Sequence, residues 1–370
     1  MKIALGKKPA LFFYAIVFCS VTISFAIKLL GYYQAIPWMI GYGDILPWSE
    51  RAFAPGIPYI DKIFEYPPVI GMIIHLASRS TFLAYAIMHY LLFLSAALIS
   101  TYYLYQMSPK KNLLLFWTLS PSLLWFSYFN WDLIAVMFCI MSFYHFKKGN
   151  DIFGTIFMAL GFSTKIYPAL FLIPLLLHRK GIRWTKWIMI PATFAATVLL
   201  VNIYFIINGF AVWLSTYTFH GVRPPNIDSI WQVVSYLIPL DIKEINLWSM
   251  FLFGVGYLLL IVYMRHRDYT VLSFSALLLF LITNKVFSPQ YLLWLLPFFV
   301  MYGVGSAHYY ALESANLLVL FTTLAYIFSG QTSAVALFAS GFFVVIRHIA
   351  LLLILISVLS ALQIRENRQE

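Results

Sequence analysis

Charge is scarce in this chain. Asp, Glu, Lys and Arg together make up 10% of its 370 residues, and only 13 of them are acidic. Soluble globular domains carry roughly 25% charged residues, so a chain that is 62% apolar cannot cover its surface for water. Cysteine is scarcer still. The two present, Cys19 and Cys139, both lie in apolar runs, with neither the spacing of a disulfide framework nor that of a metal site. The eight histidines form no H-x-x-x-H pair, and there is no Gly-rich nucleotide loop and no G-x-S-x-G elbow. Zinc hydrolysis, nucleoside triphosphate or nucleotide-sugar binding from the cytoplasm, and serine-hydrolase chemistry are all disfavoured on that ground. No internal repeat, low-complexity linker or soluble domain is visible.

What is present is a series of apolar runs long enough to cross a hydrocarbon core of about 30 Å. The expectation is an all-α, polytopic transmembrane bundle of about twelve spans, forming one membrane domain over residues 1–370. Spans are expected near 10–30, 81–107, 112–128, 132–146, 151–164, 166–178, 187–207, 247–264, 269–283, 290–304, 313–329 and 334–362. A shorter interfacial or re-entrant helix is expected at 69–80, and long outer segments at 41–68 and 208–246. The N-terminus has a basic start and an apolar stretch but no small-x-small cleavage site, so it reads as an uncleaved first helix.

The net charge of +11 invites a nucleic-acid reading, but its distribution argues otherwise. Lys2, Lys7, Lys8, Lys110, Lys111, Lys147, Lys148, Arg179, Lys180, Arg183, Lys186, Arg265, Arg267, Arg365 and Arg368 sit in short gaps between runs. All fall on one side if the runs alternate. That is the positive-inside pattern, and it puts both termini in the cytoplasm. Membrane lipid is the expected surroundings, and no nucleic-acid partner is implied.

Against this background residues 41–68, GYGDILPWSERAFAPGIPYIDKIFEYPP, stand out. They hold Asp44, Glu50, Asp61 and Glu65, four of the thirteen acidic residues, among aromatics and prolines. A carboxylate held beside aromatics near lipid gains proton affinity, which suits a general base, and Asp44 is the first candidate. The alternative is a solvated loop carboxylate capping a short helix. Asp61 and Glu65, four apart, share a face if that stretch is helical. They suit sugar hydroxyls, or else a local ion pair with Lys62 or Arg51. Two carboxylates are too few for a closed divalent-ion site, so no cofactor is assigned and no metal indicated. Asp132, in Phe129-Asn130-Trp131-Asp132, is either a helix cap or a substrate contact.

Two lysines break the positive-inside bias. Lys165, in Ser163-Thr164-Lys165-Ile166-Tyr167-Pro168, and Lys285, in Asn284-Lys285-Val286-Phe287-Ser288-Pro289-Gln290-Tyr291, both lie on the expected outer side with proline close behind. Cations there suit a lipid-linked phosphate, with snorkelling as the alternative. Arg223, in Val222-Arg223-Pro224-Pro225-Asn226, could supply a third. Arg347-His348 falls inside the last run, facing the bundle interior, with no role assigned.

In that order, Glu65-Tyr66-Pro67-Pro68, Asn130-Trp131-Asp132, Lys165-x-Tyr167-Pro168 and Asn284-Lys285-x-x-Ser288-Pro289-Gln290-Tyr291-x-x-Trp294-x-x-Pro297 resemble the GT-C integral-membrane glycosyltransferases. The likeness is to the polyprenol-phosphate-mannose-dependent mannosyltransferases of glycosyltransferase family 87. It covers about residues 40–300, within a GT-C portion at about 1–300; the spans at about 301–370 carry no recognised motif. The resemblance implies a structured first extracytoplasmic loop, an extracytoplasmic active site and a catalytic carboxylate that maps onto Asp44. It implies a polyprenyl-phosphate-linked sugar donor, mannose first, and a lipid or glycan acceptor.

On this reading Lys165, Lys285 and Arg223 bind the donor phosphate. Asp61, Glu65, Tyr66, Asp132, Tyr167, Gln290 and Tyr291 contact substrate. The strict Asp-x-Asp of some GT-C enzymes is absent, since Asp44 is followed by Ile45-Leu46. A lipid or solute transporter is the competing class. It calls for charges along a path to both faces and a repeat relating two halves. A pentose or another hexose in place of mannose keeps the same chemistry.

Overall fold

The computed structural model describes residues 8–178, 184–265 and 267–366. Of the inner-side basic positions, Lys2, Lys7, Arg179, Lys180, Arg183 and Arg368 lie outside the described residues, as do the side chains of Lys8, Lys186 and Arg365. The chain is all-helical. Among the described residues no strand forms, and an isolated bridge pairs Pro58 with Lys62.

Among the described residues six helices are long and apolar enough to cross a membrane: Ala10–Tyr32, Phe82–Met107, Trp187–Val222, Ile242–Met264, Ser306–Phe328 and Ala334–Ser360. The other six expected spans are shorter or broken. Asp132–Lys147 has 16 residues, Asp151–Phe162 has 12 and Tyr269–Thr283 has 15. Twelve residues rise only about 18 Å. Proline breaks the remaining three. The run at 112–128 becomes Lys110–Leu113, a π-helical turn Leu114–Thr118 and a separate helix Pro121–Phe126. Ser120 caps that last helix by accepting from Leu123 N at 3.2 Å, with Pro121 in its first turn, where a missing N–H costs nothing. Likewise 166–178 splits into a 3₁₀ turn Tyr167–Phe171 and Leu172–His178, and 290–304 into a 3₁₀ turn Pro289–Trp294 and Leu296–Tyr302. The outer segment expected at 208–246 is largely helix. Trp184–Val222 runs on past Asn208, and Ile230–Leu237 and Ile242–Met264 follow. The short helix expected at 69–80 is Pro68–Ala77.

The chain divides into two units. In the first, made of residues 1–169, 182–220 and 299–303, the Lys8–Tyr32 helix packs on Phe82–Met107 and Pro121–Phe126. Phe82–Met107 in turn packs on Asp132–Lys147, which lies against Asp151–Phe162. In the second, made of residues 170–181, 221–298 and 304–370, Ser306–Phe328 pairs with Ala334–Glu366. That helix and Ile242–Met264 both pack on Tyr269–Thr283.

Residues 41–68 belong to the first unit, and one buried side chain pins them. Tyr59 is fully buried and its hydroxyl donates to Tyr66 O at 2.7 Å and Pro67 O at 3.0 Å. Its ring meets Phe64 and Phe205, with centroids 5.6 and 4.9 Å away. Two glycines make room for it. A methyl group on Gly71 would stand 2.1 Å from the Tyr59 hydroxyl, and one on Gly209 would stand 2.4 Å from Tyr59 O. At Gly209 the Trp184–Val222 helix also departs from helical backbone. About two turns further on, Thr216 Oγ1 donates to Phe64 O at 2.7 Å. The loop is therefore built into the bundle and buries its apolar side there.

Candidate active site

Asp44 sits where the chain leaves the short helix Trp38–Gly41. Its backbone N–H donates to Phe129 O at 2.8 Å, and its own carbonyl accepts from Trp48 N at 3.0 Å, opening the helix Trp48–Phe53. The carboxylate is half-buried and held at both oxygens. Tyr42 Oη donates to Oδ1 at 3.0 Å, and Asn130 Nδ2 donates to Oδ2 at 2.6 Å.

Asn130 is the hub. Its amide nitrogen also donates to Tyr66 Oη at 3.1 Å, while its amide oxygen accepts from Lys165 Nζ at 3.0 Å and from Trp131 N at 2.6 Å. Four contacts thus fix which end of the amide points where. Lys165 Nζ lies 3.4 Å from Asp132 Oδ1 and 4.7 Å from the centre of the Tyr66 ring. Asp132 is fully buried, and Lys165 is 8% exposed. The Tyr66 ring packs on Trp48 and Trp131, with centroids 5.4 and 5.2 Å away.

Local chemistry puts each of these groups in place. Tyr66-Pro67-Pro68 is extended because a residue before proline avoids the helical region. Pro68 then starts the Pro68–Ala77 helix, and Val69 N, an orphan donor of its first turn, finds Ser163 O at 3.1 Å. Ser163 O belongs to the turn after Asp151–Phe162, where Lys165 N closes back on Gly161 O at 2.8 Å. Asp132 occupies the first turn of Asp132–Lys147, whose cap position is Trp131. A carboxylate there meets the positive helix end as well as Lys165. One hydrogen bond thus joins the two proline-marked turns, and Asn130 bridges the Asp44 carboxylate to the Lys165 ammonium.

Burial raises the proton affinity of Asp44 above that of an ordinary carboxylate. The Asn130 and Tyr42 hydrogen bonds and the Lys165 charge pull the other way, and Asp132 adds to the rise. The Asp44 charge, then burial, pushes the Tyr42 phenol up, so it stays a hydrogen-bond donor. Tyr66 is pushed up chiefly by burial and then by Asp44 and Glu65.

Asp61 and Glu65 are not on one helical face, because residues 54–67 form turns and extended backbone. Prolines at 55, 58 and 67 leave no room for a helix there. Asp61 is exposed and organises its own turn, with Oδ2 accepting from Ile57 N at 2.7 Å. Lys62 Nζ donates instead to the carbonyls of Ala54 and Arg51, at 2.6 and 3.3 Å. Glu65 is half-buried beside Tyr66, and Glu50 is exposed. Tyr167 is buried, and its hydroxyl accepts from Cys139 Sγ at 3.4 Å.

Sequence reasoning missed two residues here. Asn130 stood in the Asn130-Trp131-Asp132 motif with no role of its own. Lys28, which the sequence reading did not single out, is buried, and its Nζ has no hydrogen-bond partner among the described residues. Nζ lies 4.6 Å from the Trp125 ring centre and 5.3 Å from that of Phe129, a cation–π setting. Its stem rests on Gly43, and it lines a narrow crevice with Tyr32, Trp38, Gly41 and Tyr128.

The second unit carries the other cations. Lys285 is 7% exposed, and its Nζ donates to Arg223 O at 2.6 Å. Asn226 N donates to Lys285 O at 3.1 Å, and Asn226 Nδ2 donates to Ser288 Oγ at 2.9 Å. Arg223 Nη2 donates to Asn226 Oδ1 at 2.8 Å. Burial, and then the Arg223 charge, lowers the Lys285 ammonium. Gln290 is buried in the following 3₁₀ turn, and Tyr291 stacks on Trp294 with centroids 3.9 Å apart.

The model of one family, glycosyltransferase family 87, matches residues 64–289. The matched region holds Tyr66, Asn130, Asp132, Lys165, Arg223 and Lys285, and begins after Asp44. No curated protein matches the chain. Over half of the 370 residues fall within the family match, and the all-helical fold with several membrane-crossing helices agrees with it: the chain belongs to glycosyltransferase family 87 and is a membrane glycosyltransferase.

Proposed function

We propose that the protein transfers a sugar, mannose first among the candidates, from a polyprenyl-phosphate donor to a hydroxyl of a lipid or glycan acceptor on the extracytoplasmic face, with inversion at the anomeric carbon. Asp44 takes the acceptor proton as the acceptor oxygen bonds to C1. The bond from C1 to the donor phosphate oxygen breaks on the opposite face, and polyprenyl phosphate leaves as the anion. The observation that carries this reading is the Asp44 carboxylate. It is half-buried and oriented by the Asn130 and Tyr42 hydrogen bonds, with its proton affinity raised by burial. A raised proton affinity makes the ionised carboxylate a stronger base toward an acceptor hydroxyl.

A phosphate monoester leaves readily once its charge is compensated. Lys285 and Arg223 are assigned that task by their chemistry, and Lys165 supports it beside Asp44. Glu65 and Tyr66, both half-buried, are assigned to acceptor hydroxyls. Asp132 and Tyr167, buried against Lys165 and Cys139, are assigned to holding the site in shape. Both termini are placed in the cytoplasm, following the basic gaps.

The test is incubation of the purified protein with labelled polyprenyl-phosphate mannose, glucose and pentose and a panel of lipid acceptors, followed by analysis of the product's anomeric configuration. Transfer from the mannosyl donor with the opposite configuration supports the proposal. Transfer from a nucleotide sugar alone, or retention of configuration, overturns it.

A further inference from the structure

The last two helices lie beyond the family match, and the second carries an arginine in mid-span. Arg347 is fully buried in Ala334–Glu366. On insertion scales an arginine at a helix centre costs about 2.5–3.5 kcal/mol, so it calls for partners. Its guanidinium reaches three segments. Nη1 donates to Asn316 Oδ1 in Ser306–Phe328 at 3.1 Å. Nη2 donates to Phe287 O at 3.2 Å and to Asp228 O. The guanidinium carbon also lies 3.8 Å from the Phe287 ring centre. Asn316 completes the clamp from the other side, donating through Nδ2 to Pro289 O at 2.8 Å.

The carbonyls that this pair grips belong to two loops. Asp228 ends the loop that begins at Arg223. Phe287 and Pro289 lie two and four residues after Lys285. The loops are already stitched together through Asn226, which meets Lys285 O and Ser288 Oγ, and through the Lys285 ammonium on Arg223 O. A planar, always-charged fork that holds carbonyls of both loops at once fixes their relative register, which a lysine's single nitrogen cannot do. The His348 ring, 5.6 Å from that of Phe287, packs on the same loop.

We infer that Arg347, with Asn316, is a positioning residue for the donor-phosphate cations: the C-terminal helix pair exists in part to hold the Arg223 and Lys285 loops in the geometry that binds phosphate. The inference rests on the assignment of Lys285 and Arg223 to the donor phosphate.

The experiment compares kcat and both KM values for wild type, Arg347→Lys, Asn316→Ala, Lys285→Ala and the doubles with Lys285→Ala, using polyprenyl-phosphate mannose and its acceptor. Leu353→Ala, at an exposed position of the same helix, serves as control. Arg347→Lys and Asn316→Ala are each expected to raise donor KM about tenfold and about threefold, with acceptor KM unchanged. On the Lys285→Ala background neither should have much further effect. If Lys285→Ala leaves donor KM unchanged, the phosphate assignment fails. If Lys285→Ala raises it while Arg347→Lys and Asn316→Ala do not, the positioning role alone fails. Equal rises in donor and acceptor KM, or full additivity with Lys285→Ala, show a merely structural arginine and also overturn it. Should Arg347→Lys fail to give a monodisperse protein, Asn316→Ala decides by the same criteria.

Discussion

The two units hold their charged groups in different ways. In the first, the Asp44 carboxylate and the Lys165 ammonium are tied mainly by side chains: Tyr42, Asn130 and Asp132. In the second, Lys285 and Arg347 are tied largely to main-chain carbonyls, those of Arg223, Asp228 and Phe287. A side-chain network sets proton affinity, because each partner adds or removes charge next to the titrating group. A carbonyl network sets position, because carbonyls are neutral and move only with the backbone. Each pattern suits the role proposed for its own residues, a base for Asp44 and a phosphate-holding cation for Lys285.

Substitutions can break that contrast, and the largest effect is expected at Asp44. Asp44→Asn keeps the shape and the Asn130 contact region but cannot accept a proton. Turnover should fall by about 10²–10⁴-fold, with insertion and detergent stability unchanged. Next comes Lys165→Met, which leaves Asp132 buried without its cation. Losing one partner of a buried pair costs about 3–5 kcal/mol, so thermal unfolding in detergent should shift strongly and both substrates should suffer. Lys285→Ala should spare folding and raise donor KM about tenfold, since a cation held by a main-chain carbonyl is lost without stranding an opposite charge. The smallest effect is expected from Gly71→Ala. The new methyl meets the Tyr59 hydroxyl, and overpacking of this kind costs about 1–3 kcal/mol. It should show as a modest drop in stability together with a looser first loop, read by protease sensitivity at residues 54–67.

Much of this arrangement was legible before any coordinates. The 69–80 helix and the six long spans follow from apolar length alone. Tyr66-Pro67-Pro68 and the Lys165 turn both stood out as motifs, but nothing in the sequence joined them, and the link is a backbone hydrogen bond, Val69 N on Ser163 O. Of the twelve expected spans, six are long helices among the described residues, and the other six are shorter or bent, because an apolar run does not show where its backbone bends. Ser120-Pro121 and Ser288-Pro289 each open a new short element, and periodicity reads straight through them. Asp61 and Glu65 share a face only if their stretch is helical, and three prolines forbid a helix there. Asn130 went unrecognised as the hub because a neutral amide carries no signal of charge. Arg347 was visible as an oddity in the last span, yet its partners lie 31, 60 and 119 positions away, and a single sequence contains nothing to connect them.

The most direct test of the central claim is the pH dependence of kcat/KM for wild type and Tyr42→Phe. A general base works only when deprotonated, so activity should fall on the acid side as pH drops through the Asp44 pKa. Burial sets that pKa above the usual carboxylate range, and the Tyr42 hydroxyl holds it down. Removing the hydroxyl should therefore move the acid limb to higher pH and leave the plateau at alkaline pH nearly intact. An acid limb that stays in place, or moves to lower pH, would contradict Asp44 as the proton acceptor.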